Sequence, residues 1–256
     1  MIRRLAAKGI RPRAKRSKQD FKEAQLRKRL AFARLHEGES AATWKSELQA
    51  VGDRKEFTYY PQAIRPRFLS LRSPWTYMTT AERAKPAFQR PKRWFPKQDW
   101  KTTRKQKVFG FVTSNGHKLA FLVPKPWTTA EWAQKVRARL APFLRRAFPT
   151  RTSFQILLDG EKLLHGPAAT EAMSGAGIRV LPHWPKYSPD LNPQENVWAW
   201  AEERLCESER PQDSFEVFQR RAVVACNEYP FATKLVGSMA KRVRLVLERG
   251  GASIGK

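Results

Sequence analysis

Acidic residues are scarce in this chain. Asp and Glu number 23 against 50 Lys and Arg, a formal net charge of +27 over 256 residues. Cysteine is scarcer: Cys206 and Cys226 are the whole supply. Two thiols cannot staple a domain of this size or complete a zinc site by themselves, and they read as reduced thiols of an intracellular protein. Long apolar runs are missing, since no stretch reaches the ~18 apolar residues of a membrane span. The N-terminal MIRRLAAKGIRPRAKR lacks the apolar segment of a secretion signal. Glycine is thin, and Gly175-Ala176-Gly177 and Gly250-Gly251 are too short and wrongly placed for a dinucleotide-binding fingerprint. Internal repeats are lacking too. What remains is sizeable apolar content, 41% of residues with nine Trp. That excludes a fully disordered chain and suffices for one large domain or two small ones.

The basic charge is concentrated. Residues 1–34 carry 13 Lys/Arg and 2 acids, and residues 61–107 repeat those numbers, whereas residues 153–206 carry 4 against 7. Two basic segments beside a mildly acidic middle point to a polyanion, because each Lys or Arg set on a phosphate releases counterions. Arg3, Arg4, Lys8, Arg11, Arg13, Lys15, Arg16 and Lys18 form an N-terminal cluster of candidate phosphate contacts. A nucleic acid is the partner that such a distribution fits best; charge alone separates neither DNA from RNA nor enzyme from binder.

Periodicity sketches the architecture. Residues 1–10 read as the end of a short helix, and 11–18 as an extended basic arm. An amphipathic helix is expected over Phe21–His36, with Leu26, Leu30 and Ala33 on its apolar side. A second helix over Thr43–Gln49 buries Trp44 and Leu48. VGDRKEFTYY (51–60) alternates as a strand does. Residues 61–107, Pro-rich and containing Trp75, Trp94 and Trp100, read as a long irregular excursion; those rings suit core contacts or stacking on unpaired bases. Asn115-Gly116 between the apolar runs of 107–123 signals a hairpin. A helix capped by Thr128 or Thr129 runs to Ala147. Strands at Ser153–Asp159 and at IRVLPHW follow, separated by a helix over Ala168–Ser174. Asn192-Pro193 opens a helix to Cys206, and residues 214–249 add one or two more, broken near Pro230. Three early strands followed by alternating helix and strand give an α/β fold, a mixed sheet with helices on both faces.

Three acids stand out by position: Asp53 in the first strand, Asp159 at the end of a buried strand, and Glu195 in the first turn of a helix. Ligands of open α/β sheets gather beyond strand carboxyl ends. Carboxylates gathered there call for a divalent cation, and oxygen-only ligands favour Mg²⁺ or Mn²⁺. Two such ions can activate an attacking oxygen and stabilise a leaving one. Structural roles also suit each residue. Asp53 and Asp159-Gly160 are good turn formers, and Asn192-Pro193-Gln194-Glu195 has capping-box spacing.

The segment WPKYSPDLNPQENVWAWAEERL (184–205) closely resembles the hallmark of mariner-like DDE transposases, S-P-D-L-N-P-x-E-N-x-W. Ser188, Pro189, Asp190, Leu191, Asn192, Pro193, Glu195, Asn196 and Trp198 supply nine of its eleven positions. SFQILLDG resembles the strand of the second acid and VGDRKEF that of the first. The 35 residues between Asp159 and Glu195 fall within one of the usual spacing. The resemblance spans roughly residues 1–206.

It implies an RNase H-like fold in which Asp53, Asp159 and Glu195 hold two Mg²⁺ or Mn²⁺ ions. Water would cut a phosphodiester at a transposon end, and the freed 3′-hydroxyl would attack target DNA. By the same resemblance Asp190 shapes the turn before the helix and Trp198 packs beneath the site. The domains implied are a helix-turn-helix remnant with basic linker (1–45), a catalytic domain (46–206) and a C-terminal helical segment (207–256). The partners implied are DNA, no membrane, and a second copy holding the other transposon end. The compartment implied is the nucleus in a eukaryote and the cytoplasm otherwise. Three departures accompany the match. Arg54 replaces the acid that usually follows the first one. Gly160-Glu161-Lys162 replaces Asn-Ala-Pro, with His165 one place late. Of the two helix-turn-helix units expected ahead of the core, residues 1–10 resemble the last helix of the second and the rest is missing, as in a truncated copy. An inactive or domesticated DNA-binding protein that keeps the fold is the alternative, and a basic RNA-binding protein a third reading.

Overall fold

The computed structural model describes residues 11–14, 21–59, 75–78, 104–208 and 214–254. The chain divides into two compact units. One comprises residues 1–20, 59–104 and 255. Its described elements are the strands β1 (Arg11–Ala14) and, numbered in chain order, β3 (Trp75–Met78), which pair antiparallel. The expected helix over 1–10 and most of the 61–107 excursion lie outside the described residues, as do Trp94 and Trp100.

The other unit comprises residues 21–58 and 105–254. Helix α1 (Glu23–Leu35) and helix α2 (Ala41–Glu47) lead into strand β2 (Ala50–Tyr59). Strands β4 (Arg104–Thr113) and β5 (Lys118–Leu122) form the expected hairpin. Its Gly116 has φ +93° and donates its N–H to the Thr113 carbonyl, so a short loop with a left-handed residue closes it. Helix α3 (Thr129–Lys135) is capped by Thr128, whose Oγ1 accepts from the Glu131 N–H at 3.2 Å. It continues through a π-helical stretch, Val136–Leu140, into α4 (Ala141–Ala147). Strand β6 (Phe154–Leu157), a 3₁₀ turn over Lys162–His165, helix α5 (Pro167–Gly175) and strand β7 (Ile178–Val180) follow. Then come α6 (Gln194–Ser208), α7 (Phe215–Asn227), α8 (Ala232–Leu235) and α9 (Met239–Glu248).

The five strands of this unit stand in the order β5-β4-β2-β6-β7. β6 runs parallel to both β2 and β7. The Ser114 N–H reaches the Gln49 carbonyl and Lys105 reaches Glu56, so the end of β4 lies beside the start of β2 and those strands are antiparallel. This mixed α/β sheet is the RNase H-like arrangement. Successive residues of the inner strands face opposite layers. Ala50 and Ile156 join Phe109, Phe111, Trp132, Leu140 and Leu144 in one core. Val51 and Leu157 join Phe32, Trp44, Leu48, Leu191, Val236 and Val243 in the other. β2 is covered on both sides at its start, which is why Ala50, Val51 and Gly52 are all buried and the simple alternation fails there.

Helix α1 departs from expectation. Its buried residues are Arg29, Phe32 and Ala33, while Leu26 and Leu30 are only half-buried. A cation therefore takes the deepest place on a face that periodicity assigns to leucine. β7 is shorter than IRVLPHW suggests, because the chain leaves the sheet after the Leu181 N–H bonds the Ile156 carbonyl. No helix among the described residues is long and apolar enough to cross a membrane.

Candidate active site

The parallel register of β2 and β6 sets the first two acids side by side. Ala50 stands opposite Ile156 and Val51 opposite Leu157; two residues further along each chain come Asp53 and Asp159. Asp53 shares its face with Val51, the face that α6 covers. From α6 the Trp198 indole N–H donates to Asp53 Oδ2 at 3.1 Å, and the Arg54 N–H donates to Oδ1 at 2.7 Å. Burial pushes the Asp53 carboxyl up to about 7, against the help of these two hydrogen bonds, and the negative charges of Glu195 and Asp159 add to the rise. Asp53 thus feels the charge of both other acids. Among the described residues, no three or more His, Cys, Asp and Glu side chains are drawn together tightly enough to ligate an ion as they stand.

Asp159 is exposed. Its Oδ1 accepts from the Gly160 N–H at 2.7 Å, and its main-chain oxygen lies 2.9 Å from Nε2 of His165. Glu195 sits in the first turn of α6. Asn192 caps that helix, its Oδ1 accepting from the Gln194 N–H at 3.0 Å, and Pro193 stands in the first turn. The Asn192 N–H goes to the Pro189 carbonyl, so the backbone already supplies the bond that a reciprocal capping box asks of Glu195. His183 and Tyr187, in the loop before α6, both hold φ near +60°.

Asp190 has partners of its own. Arg29 clasps it with two bonds, Nη1 to Oδ1 at 2.8 Å and Nη2 to Oδ2 at 2.7 Å. Arg29 Nε donates to the Gly251 carbonyl, and the Ile254 N–H donates to Asp190 Oδ2. Burial works to raise the Asp190 carboxyl, but the bonds from Arg29 and Ile254 hold it below the ordinary value. Arg242 of α9 donates to the Asp190 carbonyl at 2.6 Å and to Asn196 Oδ1 at 3.1 Å. Burial lowers its pKa, opposed by Asp190, Tyr229 and Glu195. The turn before α6 is thus held by α1, α9 and the segment after α9.

Arg29 and Arg242 carry no local signal that marks them as partners of this turn. Arg54 and Glu161 do carry one. Each is a departure from the family pattern, and they pair with each other at 2.8 Å, joining the chain just past Asp53 to the chain just past Asp159. Gly110 is a further requirement: a Cβ there would stand 2.6 Å from the Trp198 ring. Cys226 is free and buried, its thiol pushed by burial to about 12, which suits packing rather than nucleophilic chemistry. Of the basic N-terminal cluster, Arg11 and Arg13 lie in β1. Arg3, Arg4, Lys8, Lys15, Arg16 and Lys18 lie outside the described residues.

A family model described as DDE superfamily endonuclease matches residues 78–218. Solved structures give a consistent picture. The catalytic domain of Mos1 transposase with raltegravir and Mn superposes with a TM-score of 0.61 at 14% identity, covering 92% of this chain and 98% of that one. The catalytic domain of Mos1 mariner transposase gives 0.60 at 14% identity, over 91% and 97%. A pre-cleavage Mos1 transpososome gives 0.65 at 16% identity, over 98% of this chain and 70% of that one. At these identities the likeness shows the shared fold. No curated protein matches the sequence.

Proposed function

This chain belongs to the DDE superfamily of endonucleases, and from that premise we propose that it is a metal-dependent DNA endonuclease and strand-transfer core of the transposase type. The observation that carries the reading is the β2–β6 register that sets Asp53 beside Asp159, with Glu195 near enough to act on the Asp53 carboxyl. The negative charges of Glu195 and Asp159, which add to the rise that burial imposes on the Asp53 carboxyl, are what a divalent cation offsets on binding. Three oxygen donors suit Mg²⁺ or Mn²⁺, the ions named for two related Mos1 catalytic-domain structures. A bound ion supplies positive charge where a phosphodiester oxygen becomes more negative.

The rest is the work of this chain's residues. Asp53, Asp159 and Glu195 hold the ion or ions. Trp198 fixes the rotamer of Asp53 and screens its far side from water. The turn held by Asp190 and Asn192 sets the start of α6, and so the placement of Glu195. Water is the nucleophile in strand cleavage, and the liberated 3′-hydroxyl is the nucleophile in strand transfer. Solved Mos1 structures include a paired-end complex with the left transposon end and a strand transfer complex; by analogy the substrates here are transposon ends and target DNA. Two copies would hold two ends, and the N-terminal basic cluster would grip phosphates.

The deciding experiment is nicking of supercoiled plasmid with Mg²⁺ or Mn²⁺, comparing the wild-type chain with Asp159→Ala. Metal-dependent nicking that vanishes in the variant, with DNA affinity little changed, supports the reading. A folded wild type that binds duplex DNA without nicking it favours the inactive DNA-binding alternative, and preference for structured RNA over duplex DNA favours the third.

A further inference from the structure

The ion pair of Arg54 with Glu161 forms part of the wall of a cleft. Lys107, Val123, Lys125 and Trp127 complete most of it, enclosing about 370 Å³. That lies in the range of small-ligand sites, with room for one nucleotide and none for a base pair. Among the described residues the amino groups of Lys107 and Lys125 have no ion-pair partner, whereas Arg54 spends its charge on Glu161. Lys107 is half-buried and Lys125 exposed. Trp127 is half-buried and packs edge-on against Trp132, with ring centroids 6.1 Å apart. Its indole N–H has no hydrogen-bond partner among the described residues. Two cations without an ion-pair partner among the described residues and an aromatic ring line one opening beside the residues that follow Asp53 and Asp159.

We propose that this cleft is a subsite for one unpaired nucleotide of a DNA strand, adjacent to the scissile phosphate. The base lies against Trp127, where stacking is tolerant of sequence, and the flanking phosphates lie by Lys107 and Lys125. The Arg54–Glu161 pair serves as the rigid end of the cleft. A single duplex cannot enter, so the subsite selects for a frayed or displaced strand. The inference rests on the nuclease reading for the identity of that strand. The geometry of the cleft stands without it.

The test measures binding in EDTA, so it does not depend on cleavage. Fluorescein-labelled single-stranded and blunt duplex oligonucleotides are titrated with the full chain at a series of KCl concentrations. The variants are Lys125→Gln, Lys107→Gln with Lys125→Gln, and Trp127→Phe. For the single strand, the log–log salt slope should shrink by about 0.7 for each lysine removed, while the duplex slope holds. Trp127→Phe should weaken single-strand binding a few-fold at unchanged slope. Equal slope losses on single strand and duplex, or none on either, would overturn the subsite. Lys125→Gln alters one exposed side chain and so keeps the test sound if the double variant folds poorly. Absence of plasmid nicking would count against the nuclease reading and leave the slope comparison intact.

Discussion

The indole of Trp198 reaches from α6 to Asp53 on β2 and donates a hydrogen bond of 3.1 Å to its Oδ2. The residue one turn beyond Glu195 thus holds the acid on the neighbouring strand. The bond favours the ionised carboxyl, which burial opposes. Replacing Trp198 by Phe keeps the ring and deletes the donor. The expected result is a pH–nicking profile displaced to higher pH, with far-UV circular dichroism unchanged. An unmoved profile would mean that the indole serves packing alone.

Asp53 binds its proton more tightly in the fold, at about 7, than at the ordinary value of 3.8. Its contribution to the stability of the metal-free protein is therefore complete below about pH 4. It declines as pH rises towards 7 and stays low beyond that. A divalent cation competes with that proton, so the gain in Tm from saturating Mg²⁺ or Mn²⁺ should be larger at about pH 8 than at about pH 6. Asp53→Asn should remove the difference. Equal metal shifts at both pH values in the wild type would contradict the assignment.

Arg29 has no exposed surface, and Asp190 has 3%. Breaking a buried pair by removing one partner typically costs about 3–5 kcal/mol. Asp190→Asn and Arg29→Met should each lower urea stability by that order, and the double variant by clearly less than their sum. Additive losses would show that the two side chains act separately.

The N-terminal basic cluster is expected to grip phosphates. Replacing Arg3, Arg4, Lys8, Arg11, Arg13, Lys15, Arg16 and Lys18 by Gln should weaken duplex binding. It should also flatten the salt slope by about 0.9 for every phosphate that the cluster neutralises in the wild type. A slope equal to that of the wild type would show that it neutralises none.

Much of the fold can be read along the chain because its signals are local. Thr128, Asn192-Pro193 and Ser114-Asn115-Gly116 each act within a few residues of themselves, and the elements they bound lie close to where they predict. Asp159 is legible as a carboxylate past a strand end and Asp53 as an acid within the first strand, and Glu195 comes with its motif. Features that depend on distant residues are not legible. Arg29 looks like one more cation on a basic helix, since its partner lies 161 positions away. Gly110 in an aromatic strand gives no hint that the Trp198 ring occupies the place of its side chain. The π-helical stretch Val136–Leu140 leaves no mark either, because Val136 and Leu140 are buried as an uninterrupted α-helix would also have them. Arg54 and Glu161 are readable only as separate oddities until the structure pairs them.

The clasp on Asp190 has a temporal side. Its carboxylate is made 64 residues before Ile254, whose N–H completes the hold, and Gly251 and Ala252 present carbonyls to the same Arg29 from that late segment. On the ribosome, the turn that sets Glu195 emerges well before the chain that fastens it. The fastening of that turn is thereby deferred until translation has passed the last of these residues, and a nascent chain stalled short of them leaves Glu195 on an unfastened turn.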